Sequence, residues 1–502
     1  MANKTKQANM WKFKIKDRDI LIILGVSFIN LLIHLLTNRQ YGFHRDELYF
    51  IDCAKHLDFG YADMPPLASF FAKIVIALLG ETLQGLRFFP ALLSSAIVFL
   101  TGLMAREMGG RLYAQILASI TIIVAPVYLV AGTQFQTIPI DQFFWVLICY
   151  IFIRLINTTN QKLWLLIGLV FGLGLLAKYS AVFLAFAVFF GIIISDHRIM
   201  LAKKWIWLGV LIALLVFLPN ILWQIHNGLP LIEHMKALRK DESTPTLQFL
   251  IEQIIILHPF NLPIWVAGIL FFFSKQGRKY QMLAWVYIIA LMVFLLMKGK
   301  SYYLAPAYPV LFAGGSVIIE MWLCRKQLNW LKYTVPALLL LSAIITSPVW
   351  LPILPVEKMK KLGIADFRYD YREMIGWTEL VSSVSKVYNG LPKDEQKNTI
   401  IITGNYGEAG SINHYGTKFG LPGAASGISS YYNWGPGNPN ATTVIFVGYP
   451  EDYLNRIFSE VKAMEVIRNQ YGINNEEQGQ HIILCRKPNK PISELWTEFK
   501  HY

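Results

Sequence analysis

Charge is scarce in this chain. Only 16% of its 502 residues are Asp, Glu, Lys or Arg, against roughly a quarter in soluble domains, so an ordinary soluble enzyme is excluded. Cysteine is scarcer still. Cys53, Cys149, Cys324 and Cys485 are scattered and no two form a C-x-x-C pair, which leaves zinc ribbons and dithiol redox motifs unsupported. Acids are also in deficit, 32 against 46 basic residues, for a net charge of +14. In a soluble protein that balance would point to nucleic acid; here it reflects basic residues gathered in cytoplasmic loops, and no nucleic-acid partner is expected. No small-residue cleavage site follows the first apolar stretch, which therefore reads as a retained helix. No convincing internal repeat is visible either, and repeats are what a secondary transporter builds its midplane site from.

What fills the chain instead is apolar sequence. Hydrophobic residues make up 55%, concentrated in blocks before Pro352, the pattern of an integral membrane protein with a soluble appendix. A crossing helix needs about 20 mostly apolar residues. Eleven candidates run over 19–36, 86–106, 112–131, 139–156, 163–177, 180–195, 204–223, 251–273, 280–297, 303–323 and 330–350, with a kink expected at "HPFNLP" in the eighth. The tail "MANKTKQANMWKFKIKDR" is basic and should be cytoplasmic. Alternation then puts "REMGGR", "RLINTTNQK", "DHRIMLAKK", "SKQGRK" and "CRKQLNWLK" on the same side, each with two or three Lys or Arg. The expected organisation is a membrane domain over 1–350 and an extracytoplasmic α/β domain over 351–502.

The conspicuous polar features all fall on the outer side: "HRDELY", "YADMPP", Asp141, "AKYS", "EHMKALRK" and "KGKSYY". Such a one-sided cluster suggests chemistry on a substrate presented from the lipid. The first outer loop, 37–85, is rich in aromatics. Within it "ELYFIDCAKHLDF" has helical spacing and reads as an interfacial helix with its apolar side in lipid, and "PPLASFFAKIVIALLG" reads as a second. Beyond 351, "NTIIITGNYGEAG", "TTVIFVGY" and "HIILCRK" read as short buried strands, with "MIGWTELVSSVSKVYNG" helical between them. "TGNYGEAG" fits neither nucleotide-binding glycine pattern and is better read as a strand-to-helix turn. "SGISSYYNWGPGNPN" is an aromatic loop suited to stacking on a sugar ring.

"FHRDELYFIDCAKHLDFGYADMPPL", "GLGLLAKYS", "FLPNILWQIHNG" and "GKSYYLAPAYP" together resemble the bacterial dolichyl-phosphate-mannose protein mannosyltransferase-like group. This is a branch of the GT-C membrane glycosyltransferases to which the lipid A aminoarabinose transferase is related. The resemblance runs from about Asp19 to Tyr308 and more loosely into "TGNYGEAGSINHYG". It implies a transferase in the bacterial cytoplasmic membrane that moves one sugar, with inversion, from a polyprenyl-phosphate donor to an extracytoplasmic lipid, glycan or protein. A transporter or flippase of lipid-linked substrates is the alternative. By family pattern the acidic pair is Asp46 and Glu47. The relative's Tyr-Glu-Lys-Pro stretch is matched by "YADMPP", which puts Asp63 at the acid and Met64 in place of the lysine, a departure that weakens phosphate binding there. The resemblance also implies a divalent metal cation, with Asp63 and His234 as ligands, and matches the relative's Lys-x-x-Tyr to Lys300 and Tyr303.

The chemistry needs a carboxylate to take the acceptor's proton and cations to steady the departing phosphate. Asp46 is the base by this reading, Glu47 its catalytic partner, and Arg45 a substrate contact beside them. The bland alternative for Asp46 is a solvated loop acid paired with Arg45. Asp141 is either a substrate contact or a helix-start carboxylate favoured by the macrodipole. Lys178 and Tyr179 sit at an outer helix end, where a lysine either snorkels or meets a phosphate. Lys300 and Tyr303 follow the same logic. Arg239 and Lys240 of "EHMKALRK" are expected on a mobile loop, where attraction to anionic headgroups explains them nearly as well.

Overall fold

The computed structural model describes residues 17–241 and 244–501, without the side chains of residues 17 and 238–241. Residues 1–16 of the basic tail used to read orientation, and the side chains of Arg239 and Lys240, therefore lie outside what is described. Seven described helices are long and apolar enough to cross a membrane: Arg18–Thr37, Leu83–Glu107, Thr137–Thr158, Lys204–His226, Arg278–Leu296, Ser301–Lys326 and Leu331–Trp350. The protein is a polytopic α-helical membrane protein, and its outward faces agree: Leu211, Leu215, Leu222, Ile344 and Ile345 are exposed with no protein to cover them.

Along the eleven stretches expected to cross, seven helices have crossing length, one is a bent pair and three are shorter. The eighth is broken rather than kinked: Thr246–Ile256 and Pro259–Phe273 meet at 90°. His258 adopts a positive φ of 75° at the corner, and Pro259 lacks the N–H that would continue the helix. Three others are shorter than a crossing: Leu112–Val124, Leu163–Ala177 and Ala181–Ile194. At 1.5 Å per residue these reach only about 20 Å of a roughly 30 Å hydrocarbon core. Pro126 ends the first of them, because Ala125 before it is held extended. The extended Lys178 ends the second. Periodicity reads apolar runs as continuous where a proline or a polar corner breaks them.

The first outer loop also departs from expectation. Leu67–Leu79 exposes Phe70, Ile74, Leu78 and Leu79, as an interfacial helix should. Arg45–Lys55 does not lie in lipid. Eight of its eleven residues are buried, Glu47 to Ala54, and the helix is covered by the Tyr406–Tyr415 helix of the C-terminal region. Its lipid-like spacing is the spacing of a helix buried between two protein layers, and a single sequence does not separate the two environments.

The C-terminal region carries the expected strands: β1 Thr399–Thr403, β2 Ala424–Ser426, β3 Thr443–Val447, β4 Phe458–Val466 and β5 His481–Pro488, in spatial order β2-β1-β3-β5-β4. β1 runs parallel to β2 and β3, while β5 is antiparallel to β3 and β4. Buried on every residue, β1 and β3 need cover on both faces, and Trp377–Asn389 supplies part of it. "TGNYGEAG" is the strand-to-helix turn expected. Asn405 caps the next helix, its side chain accepting from the Glu408 N–H while the Glu408 carboxylate accepts from the Asn405 N–H.

Gly407 and Gly410 on that helix explain the close docking. A Cβ at Gly410 would meet Leu48 Cβ at 2.8 Å, and one at Gly407 would meet Arg45 Cβ at 2.8 Å. Gly410→Val is expected to weaken docking by about 1–3 kcal/mol, the usual cost of overpacking. Faster tryptic cleavage around Lys358–Lys361 in detergent would report it, and cleavage at the wild-type rate would contradict it.

Candidate functional site

Asp46 sits in the first turn of the Arg45–Lys55 helix, which His44 caps by accepting the Asp46 N–H at 3.1 Å. Its carboxylate is held from two sides. Gln136 Nε2 donates to Oδ2 at 2.9 Å, and Tyr406 Oη, brought by the C-terminal region, donates to Oδ1 at 2.9 Å. A third of the Asp46 side chain remains exposed. It is fixed and reachable, as a group that meets a substrate must be.

The structure corrects the roles of its two neighbours. Glu47 is wholly buried and every approach to it is occupied. Arg87 Nε donates to Oε1 at 2.9 Å and Arg87 Nη2 to Oε2 at 2.7 Å, while the His44 and Phe135 N–H groups donate at 2.8 and 3.0 Å. A carboxylate held this way positions the start of the helix, a role different from the catalytic one expected. Arg45 points to the C-terminal region: it pairs with Glu373 at 2.6 Å and Glu476 at 2.5 Å and lies over the Tyr406 ring. Its charge staples the two layers together, in place of the pairing with Asp46 that the sequence offered as the bland alternative.

Asp63 is the second acid of the site. Tyr49 Oη donates to its Oδ1 at 2.8 Å. Burial, with a smaller push from the charge of Asp46, raises its carboxyl above the ordinary range, against pulls from His234 and Tyr49. The same interactions place Asp46, Asp63 and His234 within electrostatic reach of one another. Tyr179 joins this group to the next: its phenol feels the charge of Asp63, donates to Asn220 Oδ1 at 3.2 Å and accepts from Gln224 Nε2 at 3.0 Å. Asn220 and Gln224 in turn donate to the carbonyls of Phe59 and Tyr61, so the loop carrying Asp63 is pinned to the Lys204–His226 helix. Gly60 permits the approach, since a Cβ there would lie 2.5 Å from Trp223.

Lys178 follows Tyr179's neighbourhood directly. Asp141 and Lys300 are its electrostatic neighbours, and its Nζ stands 4.9 Å from the Tyr303 ring centroid and 5.7 Å from that of Tyr302. Asp141 accepts from Ser180 Oγ at 3.1 Å and leaves Oδ1 without a hydrogen bond. Asp141, Lys178, Lys300 and Tyr303, drawn from three separate stretches, thus form one cluster, and Tyr179, next to Lys178 in the chain, links it to Asp63. His234 lies on a helix, Pro230–Asp241, where a loop was expected, and Glu233 pairs with Lys500 at 2.8 Å to tie it to the C-terminal end.

The expected metal does not find a ready donor set. Among the described residues no three His, Cys, Asp or Glu converge to hold an ion; Asp63 and His234 are two groups in electrostatic contact, fewer than hard cations recruit from a protein unless water or substrate completes the shell.

Several residues of the site escaped the sequence reading. Tyr49, Gln136 and Tyr406 hold the two acids, and nothing in their local pattern distinguishes them from core aromatics and a helix-start amide. Tyr406 lies 360 positions from Asp46. The only signal was the G-x-x-G spacing of "YGEAG", which marks close packing of that helix on another.

Residues 63–223 match the family model of dolichyl-phosphate-mannose-protein mannosyltransferase. Among solved structures, ArnT from Cupriavidus metallidurans bound to undecaprenyl phosphate is similar at a TM-score of 0.61 and 12% identity, over 93% of this chain and 97% of that one. ArnT in the apo state gives 0.60, 13%, 93% and 97%. The Archaeoglobus fulgidus oligosaccharyltransferase in the apo form gives 0.50, 13%, 86% and 70%. The search of curated proteins gave no match. The resemblance to the mannosyltransferase family holds over residues 63–223, and the GT-C fold it implied is the fold observed.

Proposed function

We propose that the protein is a GT-C glycosyltransferase that moves one sugar, with inversion, from a polyprenyl-phosphate donor to an acceptor on the outer face of the bacterial cytoplasmic membrane. The observation that carries this reading is a reachable, rigidly held carboxylate, Asp46, in electrostatic reach of Asp63, which Tyr179 links to the cluster that holds Lys178 and Lys300. The match to a mannosyltransferase family model and the shared fold with ArnT support the class of donor.

In the mechanism this geometry supports, Asp46 accepts the proton of the acceptor hydroxyl as its oxygen attacks the anomeric carbon. The bond from that carbon to the lipid phosphate breaks on the opposite face, which inverts the centre. Lys178 and Lys300 steady the charge that develops on the leaving phosphate, a task suited to cations held where water is thin. Tyr303 and Tyr302 keep Lys178 from folding back, and Tyr179 spans the acid and cation sides. Asp63, which accepts a hydrogen bond from Tyr49, fits a sugar hydroxyl. No step is routed through a metal.

The test is to supply a polyprenyl-phosphate sugar and an envelope extract to the purified protein in detergent. Release of free polyprenyl phosphate that depends on the extract is expected. Movement of intact donor between leaflets of proteoliposomes, without cleavage, would favour the flippase reading instead.

A further inference from the structure

At the other end of the bundle is a cleft of about 860 Å³ that the chemistry above does not use. Four arginines line it, Arg18, Arg106, Arg111 and Arg154, against two acids, Asp19 and Glu107. We propose that this cleft binds the headgroup of an anionic phospholipid of the leaflet opposite the catalytic face.

The placement argues for a lipid. Arg87, which anchors the catalytic helix, and Arg106 lie on one helix, Leu83–Glu107, 19 residues and therefore about 28 Å apart along its axis. That is close to the thickness of the hydrocarbon core. Phe99, Leu103 and Arg106 all line the cleft. Their spacing of four and then three residues puts them on one face of that helix. Toward the membrane surface this face changes from partly exposed apolar side chains to a cation, the order in which a phospholipid presents its chains and its phosphate. Tyr150 and Arg154 repeat the order, four residues apart, on Thr137–Thr158.

The polar detail fits a phosphodiester that also carries a donor. Arg154 is held by Glu107 at 3.3 Å and by Tyr150 Oη at 3.4 Å, so it is positioned without its whole guanidinium being consumed. Gln115, only 2% exposed, donates to the Gly110 carbonyl and leaves Oε1 with no hydrogen-bond partner. A headgroup hydroxyl would satisfy that acceptor. A general excess of basic residues on one face explains arginines; it does not explain their gathering around a cleft with an apolar wall and an orphaned buried acceptor.

The experiment is native mass spectrometry of the full-length protein with added phosphatidylglycerol or phosphatidylcholine. Phosphatidylglycerol adducts should dominate in the wild type. The triple variant Arg106→Gln/Arg111→Gln/Arg154→Gln should retain them less by about tenfold or more. Arg278→Gln, which removes an exposed basic residue outside the cleft, should keep them. Equal loss in Arg278→Gln, or no loss in the triple variant, overturns the proposal. Displacement of the adducts by millimolar glycerol 3-phosphate as readily as by lipid would also overturn it, since a free phosphate would then be the better reading. A monodisperse elution profile of the triple variant, expected because none of its three changes lies in the buried core, keeps loss of binding distinct from loss of fold.

Discussion

Asp46→Asn is expected to lower sugar transfer by about two to four orders of magnitude, the usual worth of a positioned general base, while the protein still elutes as a folded species. The substitution keeps the shape of the side chain but exchanges an acceptor for a donor. Tyr406 and Gln136 both donate to the carboxylate. An asparagine can satisfy one of them with its carbonyl and must turn its amide on the other, so the side chain is also displaced. Tyr406→Phe separates these effects: it removes one donor, leaves the carboxylate in place, and should cost about tenfold or less in kcat. The measurement is turnover of a polyprenyl-phosphate sugar at saturating donor for both variants. Near-normal turnover in Asp46→Asn would remove the base from the mechanism. It is also the outcome expected if the acceptor is a phosphate group, already ionised and in no need of a base, and repeating the assay with a hydroxyl acceptor tells these apart.

The acids and lysines of this site were legible in the sequence because they break long apolar runs. Asp141, Lys178 and Lys300 stand out where a membrane helix tolerates charge only with a reason, and Asp46 and Asp63 fall in motifs that resemble a family. Their partners were not legible. Arg45 and Asp46 are adjacent, yet one faces Glu373 and Glu476 of the C-terminal region and the other Gln136 and Tyr406. Adjacent helical residues point about 100° apart, and which direction meets substrate depends on what packs there. The same holds for Arg45–Lys55 as a whole. Its apolar face suits lipid or protein equally, and only the glycines of a helix 360 residues away decide for protein. The strands of the C-terminal region were readable as apolar runs between turn residues. The interruption at Lys178 was readable, because the apolar runs 163–177 and 180–195 stop on either side of it, and "HPFNLP" marked a kink; that the kink is a full 90° break, and that Pro126 divides the run 112–131, were not readable, because hydropathy averages across them.

The second large effect is expected at Glu47, and it concerns folding rather than contact with substrate. Glu47→Gln leaves the guanidinium of Arg87, itself only 1% exposed, without its counter-charge, a change that costs about 3–5 kcal/mol when one member of a buried pair is removed. The familiar remedy for a buried ion pair, replacing both members with apolar residues, should fail here. Glu47 accepts from the backbone N–H groups of His44 and Phe135, and Arg87 donates to the carbonyls of Asn38, Gln40 and Gly42. Removing both side chains orphans five backbone groups at the junction of the first outer loop, each a further loss when buried. Glu47→Leu/Arg87→Met is therefore expected to be no more stable than Glu47→Gln, as read by fluorescence-detected elution after graded heating in detergent. Recovery of wild-type stability in the double variant would mean that the pair is an isolated salt bridge. Failure to recover it means that the pair is the clamp fixing the start of the helix on which Asp46 sits, in which case any Glu47 variant that survives should lose turnover in proportion to how far that first turn has loosened.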